Sequence, residues 1–331
     1  MASAEFDIIG KYFNNSDRAE LLDEDIVLDN GDDCAIVSVP SASQLAITVD
    51  TLISGVHFPV DTPPEDIAFK SLMVNLSDLS SMGARPRWIT LAISLPEIDH
   101  DWLRAFSAQL NLLLQESGIR LIGGDTTRGH LSITIQAMGL VAKDRFMRRD
   151  VAVPGDSVFV TGMIGDAAIG LKTLQRSIED AQLSACVDRL NRPVPNIRFA
   201  EELSAISRCA IDISDGLLAD LGHILEASNC GATIEIDRLP VSAAARYYFE
   251  TYNKGETDWS LLLAGGDDYE LCFTVSPNDE TRLLALAERH GVMLSRIGDI
   301  TKQKGVRCVD AKGDEMFLDK AGFDHFVRSS S

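Results

Sequence analysis

Five short acidic motifs punctuate the chain: Gly31-Asp32-Asp33, Thr48-Val49-Asp50-Thr51, Asn75-Leu76-Ser77-Asp78, Gly123-Gly124-Asp125-Thr126-Thr127 and Asp212-Ile213-Ser214-Asp215-Gly216. None has a basic residue within its core. A fold that gathers these carboxylates needs cations to neutralise them. Carboxylate and hydroxyl oxygens are hard ligands, which favour Mg²⁺, Mn²⁺ or Ca²⁺ over zinc. Mg²⁺ held by a few carboxylates most often grips phosphates. The chemistry these residues point to is phosphoryl handling.

Each motif also has a plainer reading. Gly31-Asp32-Asp33 fits a simple turn. Thr48 and Asp50 differ, because they end an apolar stretch that reads as a strand. Residues two apart in a strand share a face, so these two can share a cation; Val49 offers only its backbone carbonyl. The end of a strand is also where ligands usually gather. In Gly123-Gly124-Asp125 the glycines let the backbone approach a phosphate, and Asp125 can hold the bridging metal. The competing reading is a Gly-rich turn closed by Asx hydrogen bonding. Asp215 is well placed to cap the next helix, whereas Asp212 follows a buried-looking strand end and is harder to explain as a cap. Gly265-Gly266-Asp267-Asp268-Tyr269-Glu270 combines acids and a ring that can recognise an organic cation; a tight turn fits as well. His57 lies close after Asp50, as a ligand contact or a structural residue. Arg149 closes the basic run Arg145-Phe146-Met147-Arg148-Arg149, which suits a phosphate or a solvated loop.

Several familiar sites are excluded. Gly165 to Thr173 nearly spells a P-loop, but Leu171 interrupts the required Gly-Lys-Thr and helix formers fill the loop. The protein-kinase signature set is missing, and no stretch fits the EF-hand ligand order. The six cysteines show no C-x-x-C pair and no histidine at zinc-ligand spacing. Most lie in or beside apolar runs, as buried free thiols do.

The acids must be positioned by ordinary elements. The chain has 331 residues, enough for two domains. Its 45% hydrophobic and 24% charged residues are typical of a globular protein. No apolar run is long enough to span a membrane. The first residues carry Glu5 and Asp7 and lack the pattern of a signal peptide, so a cytoplasmic protein is expected. A formal charge of −20 disfavours nucleic acid and anionic membranes as partners. It leaves a phosphorylated ligand open, because bound Mg²⁺ reverses the local potential.

Strand-like and helix-like stretches alternate. Strands are expected at 44–49, 88–95, 119–122, 131–141, 157–161, 209–213 and 271–275. Helices are expected at 63–82, 100–118, 164–175, 179–190, 196–206, 217–227 and 279–290, and two short strands close the chain. Ile67, Leu72, Leu76 and Leu79 give the first helix one buried face. Asp78 sits near its C-terminal end, where the dipole disfavours a lone carboxylate. Val153-Pro154-Gly155-Asp156 marks a boundary. The pattern favours α+β over a doubly wound parallel sheet.

Taken together and in this order, the motifs resemble the thiamine-monophosphate kinase family. That family belongs to the ATP-binding superfamily that also holds aminoimidazole ribonucleotide synthetase and selenophosphate synthetase. The resemblance runs from Glu5-Phe6 to Gly322-Phe323-Asp324-His325-Phe326. It rests on Gly-Asp-Asp-Cys-Ala, Thr-Asp-Thr-Leu followed by Gly-x-His-Phe, Asn-Leu-Ser-Asp-Leu, Gly-Gly-Asp-Thr-Thr and Ile-Asp-x-Ser-Asp-Gly.

The resemblance implies a two-domain synthetase-like fold. Residues 1–150 would form an N-terminal mixed α/β domain that binds ATP and Mg²⁺ and dimerises through its sheet. Residues 151–331 would form a C-terminal α/β domain contributing to the nucleotide and substrate site. The implied reaction is ATP-dependent phosphorylation of thiamine monophosphate to thiamine diphosphate, the last step in making that product, by a homodimer using several Mg²⁺ ions. By motif match, Asp33, Thr48, Val49, Asp50, Asp78, Asp125, Asp212 and Asp215 would hold metal. Gly124, Asp125, Arg149 and Ser214 would contact ATP, and His57, Asp267 and Phe323 the substrate. Val49 stands where the family often has Thr, Asp267 where Glu is common, and Phe323 where Tyr or Trp is common.

The implied chemistry needs no general base. The attacking group is a phosphate oxygen, largely deprotonated at pH 7 because its second pKa is about 6. The obstacle is repulsion between two anions, which metal ions held by the acids would screen. Two other readings remain: another enzyme of the superfamily, or a non-catalytic divalent-cation binding protein. Selenophosphate synthetase should carry a reactive cysteine in an N-terminal glycine-rich loop, and none is here.

Overall fold

The computed structural model describes residues 8–13, 25–29 and 33–316. The chain divides into two compact units, one running up to residue 79 with 84–144, the other comprising 80–83 and 145 onward.

The first unit holds a short antiparallel pair, β1 (Ile26–Leu28) and β2 (Ile36–Val37), then β3 (Ser43–Ile53), α1 (Pro64–Ser81), β4 (Arg85–Leu95), α2 (His100–Ser117), β5 (Arg120–Arg128) and β6 (Ser132–Ala142). The four long strands form one sheet in the order β3-β6-β4-β5. β4 and β5 are parallel and joined through α2; the other pairs are antiparallel. Asp99 caps α2 by accepting from the N–H groups of Asp101 and Trp102. Gly118 ends it at φ 65°, as the sequence predicts.

Two expectations are corrected here. Strand 119–122 does not stop at the glycine pair: β5 continues through Arg128, because Gly123 to Arg128 pair with Thr90 to Leu95. The Gly-Gly-Asp-Thr-Thr motif is thus strand, not loop. Its register slips between Ile89 and Thr90, and there a Cβ on Gly124 would lie 2.0 Å from the Leu91 carbonyl oxygen. Close strand approach alone demands glycine at 124. Helix α1, expected to bury one face, is buried nearly all round from Ile67 to Ser81, with only Phe69 and Asp78 partly open.

The second unit is built on β7 (Ser157–Thr161), β8 (Cys209–Asp212), β9 (Gly231–Glu235), β10 (Leu271–Val275), β11 (Leu294–Thr301), β12 (Gly305–Val309) and β13 (Glu315–Met316). Their order is β13-β12-β9-β11-β7-β10-β8, with β12 and β9 the parallel pair. The helices are α3 (Asp166–Gln175), α4 (Ser184–Asn191), α5 (Ile197–Leu203), α6 (Leu217–Ala227), α7 (Ala243–Tyr252), α8 (Trp259–Ala264) and α9 (Glu280–His290). Alternation along β7 divides the core. Val158 and Val160 join Leu221 and Ile224 of α6, while Phe159 joins Phe199 of α5 and Leu283 of α9. The fold is α+β, as expected. The near P-loop segment forms α3 instead, with Gly165 at φ 86° before it.

Strand β9 and helices α7 and α8 escaped the sequence reading. All six cysteines are free; Cys34 is exposed and the other five are buried. Burial pushes the thiols of Cys186 and Cys209 up to about 12, which keeps them unreactive.

Candidate functional site

In the first unit, strand pairing fixes where each acid points. Thr48 lies opposite Ala137 and Asp50 opposite Ile135, so both face the buried side of the sheet. Thr48 Oγ1 donates to Asp78 Oδ2, and the Asp50 N–H donates to Asn75 Oδ1 at 3.2 Å. Strand β3 and helix α1 thus bring Thr48, Asp50 and Asp78 together. Burial, and then the charge of Asp78, push the Asp50 carboxyl up to about 6. A carboxylate whose proton affinity is raised by a neighbouring acid suits a cation between the two. Oxygen donors alone suit Mg²⁺.

The other predicted positions of this unit are placed differently. The Val49 side chain projects to the opposite face and is 56% exposed, leaving its carbonyl as its one metal donor. Gly124 and Asp125 are exposed on β5, the far edge of the sheet. Asp125 pairs with Ala92, on the face opposite that of Asp50. Three strand spacings, about 14 Å, separate the two edges. Asp33 is exposed beside β2. Gly31 and Asp32 lie outside the described residues, as does Phe323. His57 is half-buried; its Nδ1 accepts from the Ile53 N–H at 3.0 Å, which puts the ring proton of the neutral form on Nε2. Sequence reasoning missed Lys70, which is 3% exposed and donates to the His57 carbonyl at 3.3 Å.

In the second unit, β8 and β10 run antiparallel with Asp212 opposite Leu271. The turn leaving β8 therefore lies beside the turn entering β10. Three backbone bonds of 2.8 Å lace them: Asp267 N–H to Ser214 O, Tyr269 N–H to Ile213 O, and Ile213 N–H to Glu270 O. Asp212 is buried; Ser214, Asp215, Asp267 and Tyr269 are partly open. Gly266 sits at φ 71°, and a Cβ there would meet Ser214 O at 2.5 Å.

The expected Asp215 cap is corrected. Gly216 occupies the cap position with no side-chain bond. Asp220, in the first turn of α6, accepts the N–H groups of Ser214, Asp215 and Gly216 on one oxygen, at 3.0, 3.0 and 3.2 Å. Burial and the charge of Asp215 push Asp220 up to about 7. Its early place in a helix is the sequence signal that could have found it.

The Gly265–Glu270 run alternates strictly. Asp267 and Tyr269 point outward, whereas Asp268 and Glu270 are 2% and 3% exposed. Asp268 accepts the Gly165 N–H at 2.9 Å. Glu270 takes Arg189, Thr161 and Asn196. These two acids anchor the turn from beneath. Burial pushes both upward, offset in part by bonds to Gly165 and the nearby Arg189 for Asp268, and by Arg189, Thr161 and Asn196 for Glu270. The anchoring holds Asp267 at φ 62° and Tyr269 at φ 49°, left-handed conformations that cost a side chain about 1–2 kcal/mol each. Arg149 is exposed; its carbonyl accepts from Ser228 Oγ at 2.9 Å.

The described residues distribute the predicted acids over both units. Among the described residues, no group of three or more His, Cys, Asp or Glu side chains is arranged to hold a metal ion. Asp50 and Asp125 stand on opposite edges of one sheet, and Asp212 and Asp215 belong to the other unit.

Asp50 lies within β3 rather than at its end, Asp125 within β5, and Asp212 ends β8. A two-unit α+β chain of this topology has the architecture of the AIR synthase related proteins. Residues 31–141 match the AIR synthase related protein N-terminal domain, and residues 153–311 match its C-terminal domain. Thiamine-monophosphate kinase of Escherichia coli (strain K12) is 43% identical over 99% of both chains. That of Haemophilus influenzae is 41% identical over 99% of this chain and 100% of its own. A crystal structure of thiamine-monophosphate kinase from Stenotrophomonas maltophilia K279a superposes with a TM-score of 0.81 at 44% identity, covering 87% of this chain and 92% of that one. AaThiL complexed with AMPPCP and TMP gives 0.76 at 29% identity, covering 87% and 89%. Escherichia coli HypE, at 21% identity and a TM-score of 0.73, shares the fold. The chain belongs to the thiamine-monophosphate kinase family.

Proposed function

We propose that the chain phosphorylates thiamine monophosphate to thiamine diphosphate with ATP as donor. The observation that supports this reading is the lacing of the Ser214–Asp215 turn to the Asp267–Tyr269 turn, the two turns to which the resemblance gives nucleotide and substrate contacts. The substrate phosphate is its own nucleophile, so the chain's task is to align two anions. Gly124, Asp125, Arg149 and Ser214 would bind the nucleotide. His57 would donate from Nε2, and Asp267 would face the cationic end of thiamine, with Phe323 stacking on its ring.

Mg²⁺ would be held by Asp33, Thr48, Asp50, Asp78, Asp125, Asp212 and Asp215, with Val49 through its carbonyl. The raised proton affinity of Asp50 beside Asp78 supports a cation there. When bound, such ions supply the charge that screens the nucleophile from the polyphosphate.

The active form would be a cytoplasmic homodimer. Strand β3 is a sheet edge whose Leu45, Ile47, Val49 and Ile53 are exposed, an apolar row that edge strands usually avoid. A second copy joining β3 to its own β5 would bring its Asp125 to the strand edge that carries this chain's Asp50. No described helix is long and apolar enough to cross a membrane.

The test is ADP release with thiamine monophosphate, thiamine and aminoimidazole precursors compared side by side. ADP that depends on thiamine monophosphate is expected. Mg²⁺ binding without ATP turnover would favour a cation-binding protein instead.

A further inference from the structure

We propose that Tyr269 is a positioning residue that sets this chain's recognition of the cationic thiamine ring system. The inference rests on the kinase reading above and assigns a role to a side chain beside Asp267. Tyr269 O–H donates to Asp267 Oδ1 at 3.1 Å. Both side chains are partly open, whereas Asp268 and Glu270 between and after them are buried. The tyrosine lies outside the apolar clusters on the two sheet faces.

Its backbone setting argues for function over packing. Tyr269 holds a left-handed conformation, at φ 49°, that an aromatic residue seldom adopts. Strain of this kind persists where neighbours over-determine it. Here Asp268 is tied to Gly165, Glu270 to Arg189, and the Tyr269 N–H to Ile213 O. The turn is locked from below and from one side, so the hydroxyl meets Asp267 at a fixed place.

Asp267 is one methylene shorter than the glutamate common at this position in the family. A shorter arm brings its carboxylate closer to the main chain, within reach of the Tyr269 hydroxyl. That bond fixes the rotamer of the acid and polarises it, and the ring edge and face stand beside it. A carboxylate with an adjacent aromatic ring recognises a flat organic cation by charge and by π contact. The thiazolium of thiamine monophosphate is such a group, whereas the nucleotide is not. Tyr269 should therefore act on one substrate alone.

Steady-state kinetics on the full chain test this, with ATP and thiamine monophosphate varied separately. Tyr269→Phe is expected to raise KM for thiamine monophosphate about tenfold, the usual effect of a lost bond to a charged group. KM for ATP should move less than about twofold, as should kcat. Adding Tyr269→Phe to Asp267→Asn should cost less than about twofold more, because the hydroxyl then has no carboxylate to hold. An unchanged KM for thiamine monophosphate, an equal rise for ATP, or fully additive losses would overturn the inference. If the Phe variant does not fold, Asp267→Asn alone must still raise KM for thiamine monophosphate and spare that for ATP; failure there overturns the pair. A wild-type chain inert toward thiamine monophosphate overturns both readings. An active wild type with Tyr269→Phe at wild-type KM overturns this one alone.

Discussion

Asp220 Oδ2 accepts the backbone N–H of Asp215 at 3.0 Å, and the same oxygen takes the N–H groups of Ser214 and Gly216. A buried side chain five residues on thus holds open the turn that carries the second unit's acids. Asp220→Ala strands these donors in a partly buried site. It should lower the urea midpoint by the equivalent of about 3 kcal/mol and raise KM for ATP about tenfold. Asp220→Asn keeps an acceptor and should lose less on both counts. Denaturation curves and nucleotide titrations check this; an Ala variant with wild-type KM for ATP would remove Asp220 from the site.

The buried acids predict an inverted pH response. Asp50 is pushed up to about 6 and Asp220 to about 7, and Asp166, Asp268 and Glu270 move the same way, chiefly through burial. Each takes up a proton on folding between its unfolded value, about 4, and its folded one. The stability that Asp50 and Asp220 give is complete below about pH 4 and lost as pH rises through about 6 and about 7 respectively; the other three act in the same direction. In EDTA the urea midpoint should fall across that window. MgCl₂ should restore part of it at pH 8 and nothing at pH 4.5, where Asp50 is protonated. A flat profile, or equal effects of Mg²⁺ at both pH values, would refute the cation at Asp50.

Removing one charge at a time tests the proposed metal holders. Asp→Asn at 50, 78, 125 or 212 should cut turnover by roughly 100-fold or more, since charge stabilisation is the main catalytic term. Circular dichroism should show the fold intact. Near wild-type turnover in any of these variants would strike that position from the site.

The opposite edges of the four-stranded sheet give a sharper test of the dimer. Asp50→Asn and Asp125→Asn, inactive apart, should complement when co-expressed. If one copy's Asp125 serves the other's Asp50, random reassortment restores about a quarter of wild-type activity. Failure to complement, with heterodimers confirmed by differential tagging, would confine both acids to sites within one chain. Ile47→Lys, on the exposed face of β3, should yield monomers by light scattering.

Much of the fold was legible because local rules and tertiary packing agree. Strands β7 and β10 and helix α6 fall at the predicted residues, where apolar runs are bounded by turn-forming residues. Strand β9 and helices α7 and α8 were missed; β9 is a short strand held by β11 and β12 on either side. The Gly-Gly-Asp segment was misread because glycine looks the same in a turn and in a strand pressed against its neighbour. Only the Leu91 carbonyl distinguishes the two at Gly124.

For the site, the chain's order of residues alone marks the candidate acids, because hard oxygen ligands recurring in short motifs form a chemical pattern that needs no coordinates. It also determined that no P-loop exists, since that loop is a local sequence. Tertiary structure alone decided which acids meet. Asp78 comes to Thr48 because α1 packs against β3, while Asp125 is carried to the far edge by strand order. It also decided that Asp268 and Glu270 are anchors and Tyr269 is not, because side-chain direction in a turn depends on backbone angles set by the partners it bonds.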